Sequence, residues 1–307
     1  MVNLPAPPAD DSLVVDAAPP VGETMPQPGD AVASSPPIET KPTPPRRSAK
    51  PSPAAPTLTA HLLGTFRVTV NDHPIEKWPK GKGQAVFKYL LVHRDRPTPR
   101  DVLTEAFWPE ATPEAVRNRI NVAVHSLRQA LKSVTDVAVI VYEAGAYGLN
   151  PDLRVWLDVE EFERRVQVGR RLEATGQLKA AMAEYELAEN LYQGDFLEED
   201  MHEEWAMARK EGLRDSYFVA LDHLSRYYLE EKKYSTCIHL CQKILAKDDC
   251  REDAHRRLMR CYTRQSERNL ALHQYQFCVE ALKRVMNVPP TQETTALYHQ
   301  IRKGEAV

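Results

Sequence analysis

In the last third of this 307-residue chain, residue types recur with a period of about 34 residues, and that recurrence restricts what the chain can fold into. Ala220 recurs as Ala254, Leu224 as Leu258 and Tyr228 as Tyr262, while Cys237 is matched by Ala271 and Cys241 by Tyr275. A repeat of this length is one supersecondary unit that cannot bury its apolar face alone, so the units must stack. Small residues recur where helices cross closely, and large ones fill the space between. The period predicts a helix pair over 217–232 and 234–247, and a second over 252–265 and 269–286. A less regular pair, 159–174 and 178–192, precedes them across the loop "QGDFLEED". "NVPPTQET" breaks the last long helix before a short closing one over 294–302. No convincing strand pattern occurs after Asp158.

The spacing is that of tetratricopeptide helix pairs, which assigns residues 151–307 to an all-α helical-repeat domain. A chain of this length has room for about two domains of roughly 100–200 residues each. Of its 24 prolines, 15 fall in residues 1–57, with almost no aromatics. That composition cannot bury enough apolar surface to offset the entropy of ordering, so 1–57 reads as a disordered tail. Between tail and repeat, residues 58–150 have a mixed α+β pattern. "HLLGTFRVTVNDHPIEKW" alternates apolar and polar positions and turns at Asn71-Asp72, the signature of two or three antiparallel strands.

Three helical patterns follow. "GQAVFKYLLVHR" carries one apolar stripe. "TPRDVLTEAFW" opens with Thr98 as N-cap and Pro99 at the first helical position, and its pattern buries Val102, Leu103 and Phe107. "TPEAVRNRINVAVHSLRQALKS" opens in the same way with Thr112 and Pro113 and runs about five turns. "VAVIVYEAGAYGLN" then reads as a hairpin turning at 143–146, with Gly145 free to take positive φ.

The third helix carries the functional question. Ile120, Val124, Leu127 and Leu131 form one apolar stripe; Asn118, Asn121, Val122, His125 and Gln129 lie on or beside the opposite face. No acidic residue occurs from Val116 to Lys132, where an idle surface helix would carry Glu among its Lys. Asn and Gln side chains match adenine edges and Arg matches guanine, and a helix fits the major groove. On pattern alone the face is open to three readings: a DNA reader, a protein interface or a solvated surface. The segment charges agree with the first, at −2 for 1–57, +3 for 58–150 and −4 for 151–307. A mildly basic segment between acidic ones suits phosphate contact there. Candidate phosphate contacts are Arg117, Arg119, Arg128 and Lys132, with Lys80 and Lys82 at the start of the first helix. A helix lying ahead of the reader and a hairpin directly behind it complete the plan of a winged helix-turn-helix.

These residues carry a resemblance. "LLGTFRVTVNDHPI", "AVFKYLLVHRDRPTPRDVLTEAFWPE", "INVAVHSLRQAL" and "GAYGLN" resemble, in order, the sheet, first two helices, recognition helix and wing of OmpR/PhoB-type winged-helix domains. "VWLDVEEFERRV", "LYQGDFLEED", "EEWAMARKEGLRDSYFVALDHLSRYYLE" and the segment from "REDAHRRL" to "LYHQIR" are similar to the bacterial transcriptional activator domain of the Streptomyces antibiotic regulatory protein type. The resemblance covers about residues 58–303. It implies a sequence-specific transcription activator that binds direct repeats in promoter DNA, with homodimers on the DNA, and contacts RNA polymerase. Carried over by position, Glu110, Thr112 and Glu114 lie in and beside the polymerase-facing loop, and Trp108 packs in the core. Two departures stand out: the wing has Glu143 and no Lys or Arg between Val137 and Pro151, and no globular receiver domain precedes residue 58.

A reading from another class is a helical-repeat sensor or adaptor that binds a partner protein or an anionic ligand such as a nucleotide messenger. Arg256, Arg260 and Arg264 recur at i, i+4 and form a guanidinium row suited to phosphate; salt bridges to neighbouring acids are the plainer account. An enzyme is not expected: the histidines are scattered, no G-x-S-x-G elbow occurs, and "WPKGKGQ" lacks the spacing of a phosphate loop. No cofactor is implied. Five cysteines, all in the last third, lack paired ligand spacing for a metal, and their odd number suits reduced thiols in the cytoplasm. Neither a signal peptide nor a run near the ~18 apolar residues of a membrane span is present.

Overall fold

A computed structural model describes residues 55–79, 81–200 and 203–307. The tail expected over 1–57 lies almost wholly outside this set, as does Lys80.

The alternation after residue 57 produces β1 (Thr57–His61), β2 (Arg67–Val70) and β3 (His73–Pro74), paired antiparallel in order. Leu58, Ala60, Val68 and Val70 point inward. Asn71 and Asp72 both take positive φ, 48° and 65°, which sets the twist a two-residue hairpin needs. The Asn71 side chain also accepts a hydrogen bond from the Thr57 backbone N–H at 2.9 Å. A fourth strand, β7 (Arg154–Leu157), runs parallel to β1 and completes the order β3-β2-β1-β7. It lies beyond residue 150, in the segment read from the sequence as part of the helical domain.

Next come α1 (Gly83–Val92), β4 (Thr98–Pro99), α2 (Arg100–Phe107), α3 (Pro113–Lys132), β5 (Ile140–Glu143) and β6 (Ala146–Leu149). The hairpin β5–β6 turns at Ala144-Gly145, both at positive φ, and β4 pairs with β6 to form a three-stranded wing. This corrects the expected start of α2. Thr98 does not cap that helix: it is buried and paired with Tyr147, Pro99 pairs with Ala146, and the helix begins at Arg100. Pro99 keeps an extended ψ of 148°, which a proline φ permits as readily as a helical start. Leu103 and Phe107 are buried as expected, whereas Val102 is 40% exposed.

The helical pattern from Asp158 onward resolves into α4 (Asp158–Ala174), α5 (Leu178–Leu191), α6 (Glu204–Glu230), α7 (Tyr234–Lys247), α8 (Glu252–Arg264), α9 (Arg268–Val285) and α10 (Gln292–Lys303). The predicted pairs match closely, except that α6 starts at Glu204, several turns ahead of its expected first residue, Tyr217. Ala220, Leu224, Ala254, Leu258, Cys237 and Ala271 are buried at the crossings. The period extends to the backbone. Lys232 and Ser266, one repeat apart, both take left-handed φ, 59° and 67°, in the turn inside each pair. The next backbone N–H closes each turn, Lys233 onto the Tyr228 carbonyl at 2.9 Å and Glu267 onto the Tyr262 carbonyl at 2.8 Å. Glycine occupies this conformation without the Cβ penalty. Ser266→Gly and Lys232→Gly are each expected to stabilise the chain by about 0.5–1 kcal/mol; a fall in melting temperature for both would contradict this.

The winged part and the helical part share one contiguous apolar core. Polar bonds reinforce the seam. The buried Asp158 carboxylate accepts the backbone N–H groups of Leu62, Leu63 and Val159 at 2.8–3.0 Å. Leu63 bridges to Phe196, and the Leu197 N–H donates to the Leu62 carbonyl at 2.8 Å. Lys88 of α1 is 1% exposed and pairs with Asp200, and Arg94 forms a two-pronged bond with Glu160. Among the described residues no helix is long and apolar enough to cross a membrane.

Candidate nucleic-acid interface

Helix α3 is anchored by Val116, Ile120, Val124, Leu127 and Leu131, all buried. Its 20 residues form one uninterrupted helix because the apolar stripe keeps helical register throughout and Pro113 stands where a missing N–H costs nothing. Thr112 occupies the N-cap position, with its carbonyl accepting the Val116 N–H at 2.9 Å, although its hydroxyl makes no capping bond.

The opposite face is open. Asn118, Asn121, His125 and Gln129 are exposed, and Val122 projects among them at 65% exposure. Arg117, Arg119, Arg128 and Lys132 are exposed beside them and form no ion pair among the described residues. Arg128 has a second task, since its guanidinium donates to the Ile140 carbonyl at 3.1 Å and ties α3 to the wing. On the wing, Tyr142 is exposed and packs its ring on the buried Tyr147, with centroids 4.5 Å apart. Burial pushes the Tyr147 phenol above its ordinary pKa, so it stays protonated. Beside the exposed Glu143, the wing offers a phenol in place of the basic residue that its sequence lacks.

Sequence reasoning also missed Arg100, because its role depends on partners in other elements. Its backbone N–H donates to the Gly145 carbonyl at 3.3 Å. Its guanidinium donates to the Arg117 carbonyl at 3.2 Å and to Asn121 Oδ1 at 3.3 Å. One residue thus joins the start of α2, the wing turn and the polar face of α3.

Two sequence-derived candidates have partners within the protein. Lys82 does not stand free at the start of α1: its ammonium pairs with Glu203 at 3.0 Å and lies 5.8 Å from the Phe107 ring centre. It thereby serves the seam with the helical part, while its side chain stays 45% exposed. The row Arg256, Arg260 and Arg264 is likewise engaged within the protein. Arg256 bonds Thr294 at 2.9 Å and Glu293 at 3.1 Å, Arg260 lies 4.0 Å from Glu293, and Arg264 donates to the Val307 carbonyl at 3.1 Å. Burial draws the Arg260 guanidinium below its ordinary pKa. The row packs against the closing helix α10, the salt-bridge arrangement that is the plainer account of it.

Glu110 and Glu114 are exposed in and beside the connection between α2 and α3, and Trp108 is half-buried against Phe107. The side chains of Asp248, Asp249 and Cys250 approach each other closely enough to share an ion. Asp249 is paired with Arg284, and Asp248 accepts the Cys250 N–H at 3.1 Å.

Residues 157–302 match the family described as "Bacterial transcriptional activator domain". Residues 157–302 are thus similar to a bacterial transcriptional activator domain. The resemblance to the Streptomyces antibiotic regulatory protein type is borne out. The activator domain takes in β7's last residue, α4 to α9 and nearly all of α10, so it begins on the sheet of the winged part. A stretch of 72 residues is 36% identical to "Transcriptional regulatory protein EmbR" of Mycobacterium bovis, and equally to that of Mycobacterium tuberculosis. The aligned part is 23% of this chain and only 18% of those relatives. Among solved structures, Mycobacterium tuberculosis EmbR in complex with a low-affinity phosphopeptide superposes with a TM-score of 0.64. The match covers 82% of this chain and 66% of that one at 21% identity. At that identity the likeness concerns the fold, and it extends over the winged part as well as the activator domain, since 82% of the chain exceeds the activator domain alone.

Proposed function

We propose that the chain is a sequence-specific transcription activator in which α3 reads promoter DNA and the connection between α2 and α3 meets RNA polymerase. One observation carries the reading: α3 buries a full apolar stripe while presenting an exposed, acid-free face of Asn118, Asn121, Val122, His125 and Gln129. Such a face matches the donor and acceptor pattern of the major groove, and Arg117, Arg119, Arg128 and Lys132 border it at positions suited to phosphates. The wing contributes Tyr142 instead of a cation. The loop from Trp108 to Thr112 and the first turn of α3, with Glu110, Thr112 and Glu114, form the surface offered to polymerase. Binding to direct repeats would place two copies side by side as a homodimer on the DNA.

The test is selection of duplexes from a random pool by the full chain, followed by affinity measurements at several salt concentrations. Selected duplexes should bind at least about 10³-fold more tightly than random ones, with affinity falling steeply as salt rises. Equal affinity for selected and random duplexes would remove the reading. His125→Ala is expected to cost about 1–3 kcal/mol of discrimination at a single base pair. Arg117→Ala should weaken every duplex alike and lower the salt slope by about one.

A further inference from the structure

The bond between Arg100 and Asn121 carries more information than its position suggests. A guanidinium donates hydrogen bonds and accepts none. The Asn121 atom 3.3 Å from the Arg100 guanidinium is therefore the oxygen, and the chemistry of the pair settles an amide orientation that shape alone leaves open. Arg100 is itself held in place, since its backbone N–H is bonded to Gly145 and its guanidinium also reaches the Arg117 carbonyl. The Asn121 oxygen is thus turned toward the start of α2, and its NH2 group is left for whatever meets the exposed face of α3.

Asparagine recognises adenine by offering oxygen and NH2 together, accepting from the base N6 amino group and donating to N7. With one lone pair of its oxygen taken by Arg100 and that oxygen turned toward α2, the part of Asn121 left without a partner among the described residues is its NH2 group. A donor-only group suits an edge of acceptors, and guanine, with N7 and O6 adjacent, is the best such edge in the major groove. We propose that Arg100 is a positioning residue that sets the base preference of Asn121, turning an adenine-type side chain into a reader of guanine. This rests on the reading of α3 as the recognition helix.

The experiment compares the full chain with its Asn121→Ala, Asn121→Asp and Arg100→Ala variants by selection from a random duplex pool, with melting temperatures measured alongside. The wild type is expected to prefer guanine at one base pair that Asn121→Ala makes indifferent, with a loss of about tenfold in discrimination. Asn121→Asp retains an acceptor for Arg100 and so keeps its melting temperature, but has no NH2 and should lose the guanine preference. Arg100→Ala should shift the preference at that same base pair toward adenine and leave the salt slope unchanged. If Arg100→Ala instead weakens all duplexes alike and lowers the slope by about one, Arg100 is a phosphate contact and the proposal is overturned. Retention of the guanine preference by Asn121→Asp overturns it as well. A wild type that discriminates, with a pattern untouched by Asn121→Ala, refutes this proposal alone; a wild type without discrimination refutes the recognition reading itself.

Discussion

Replacing Asp158 with alanine is expected to lower the unfolding free energy by about 3–5 kcal/mol, given the cost of buried donors left without an acceptor. The carboxylate is almost fully buried and accepts three backbone N–H groups, those of Leu62 and Leu63 at the end of β1 and that of Val159 in the first turn of α4. The Leu62 and Leu63 N–H groups have no other partner among the described residues. Water cannot reach them without opening the seam between sheet and helix. Asp158→Asn should cost less, because one oxygen remains while the new NH2 meets a donor. Urea unfolding followed by far-ultraviolet circular dichroism measures both effects. An alanine variant whose midpoint equals that of the wild type would show that the seam does not depend on this residue.

Lys88→Ala is expected to cost about 3 kcal/mol, the lower end of the range seen when one partner of a buried ion pair is removed, because Lys88 is buried while Asp200 keeps 21% of its side chain exposed. The ammonium pairs with Asp200 and lies 4.5 Å from the Phe66 ring centre, so its loss strands a carboxylate and empties the space over an aromatic ring. The physical content lies in the comparison with other variants. Lys88→Met fills the volume but still strands Asp200, whereas Lys88→Met combined with Asp200→Leu removes both charges. Since apolar replacement of an entire buried pair is often neutral or better, the double variant should recover most of the loss. Additive costs in the double-mutant cycle would show that the two residues are not coupled.

Helix α3 was legible in the sequence because everything that makes it a helix is local. Its stripe repeats within a single helix, Pro113 opens it, and the missing acids can be counted directly. The helix pairs were legible for the same reason, with the recurrence from one repeat to the next supplying a second register. What the sequence concealed depends on distant partners. Thr98-Pro99 has the composition of a helix start, and only Ala146 and Tyr147, beyond two intervening helices, make it a strand. Arg154–Leu157 is too short to show an alternation, and becomes β7 because β1 offers it an edge. Lys82 looks like a free cation until Glu203, in the far part of the chain, takes its charge. Similarly, the guanidinium row of α8 invites an anion until α10 and the chain end fold over it. Charge is visible in a sequence, but the partner that neutralises it is not.

The joint between sheet and repeat has a consequence for how the molecule would be mounted on a duplex. Strand β7 ends at Leu157 and α4 begins at Asp158, leaving no linker residue to take up rotation. With α3 in a major groove, the compass bearing of the activator domain around the DNA axis is set by helical phase. On the proposed reading, moving the binding site by one base pair would swing the activator domain by about 35°, and about five base pairs would carry it to the far side of the double helix. The duplex would then be the swivel that this joint lacks.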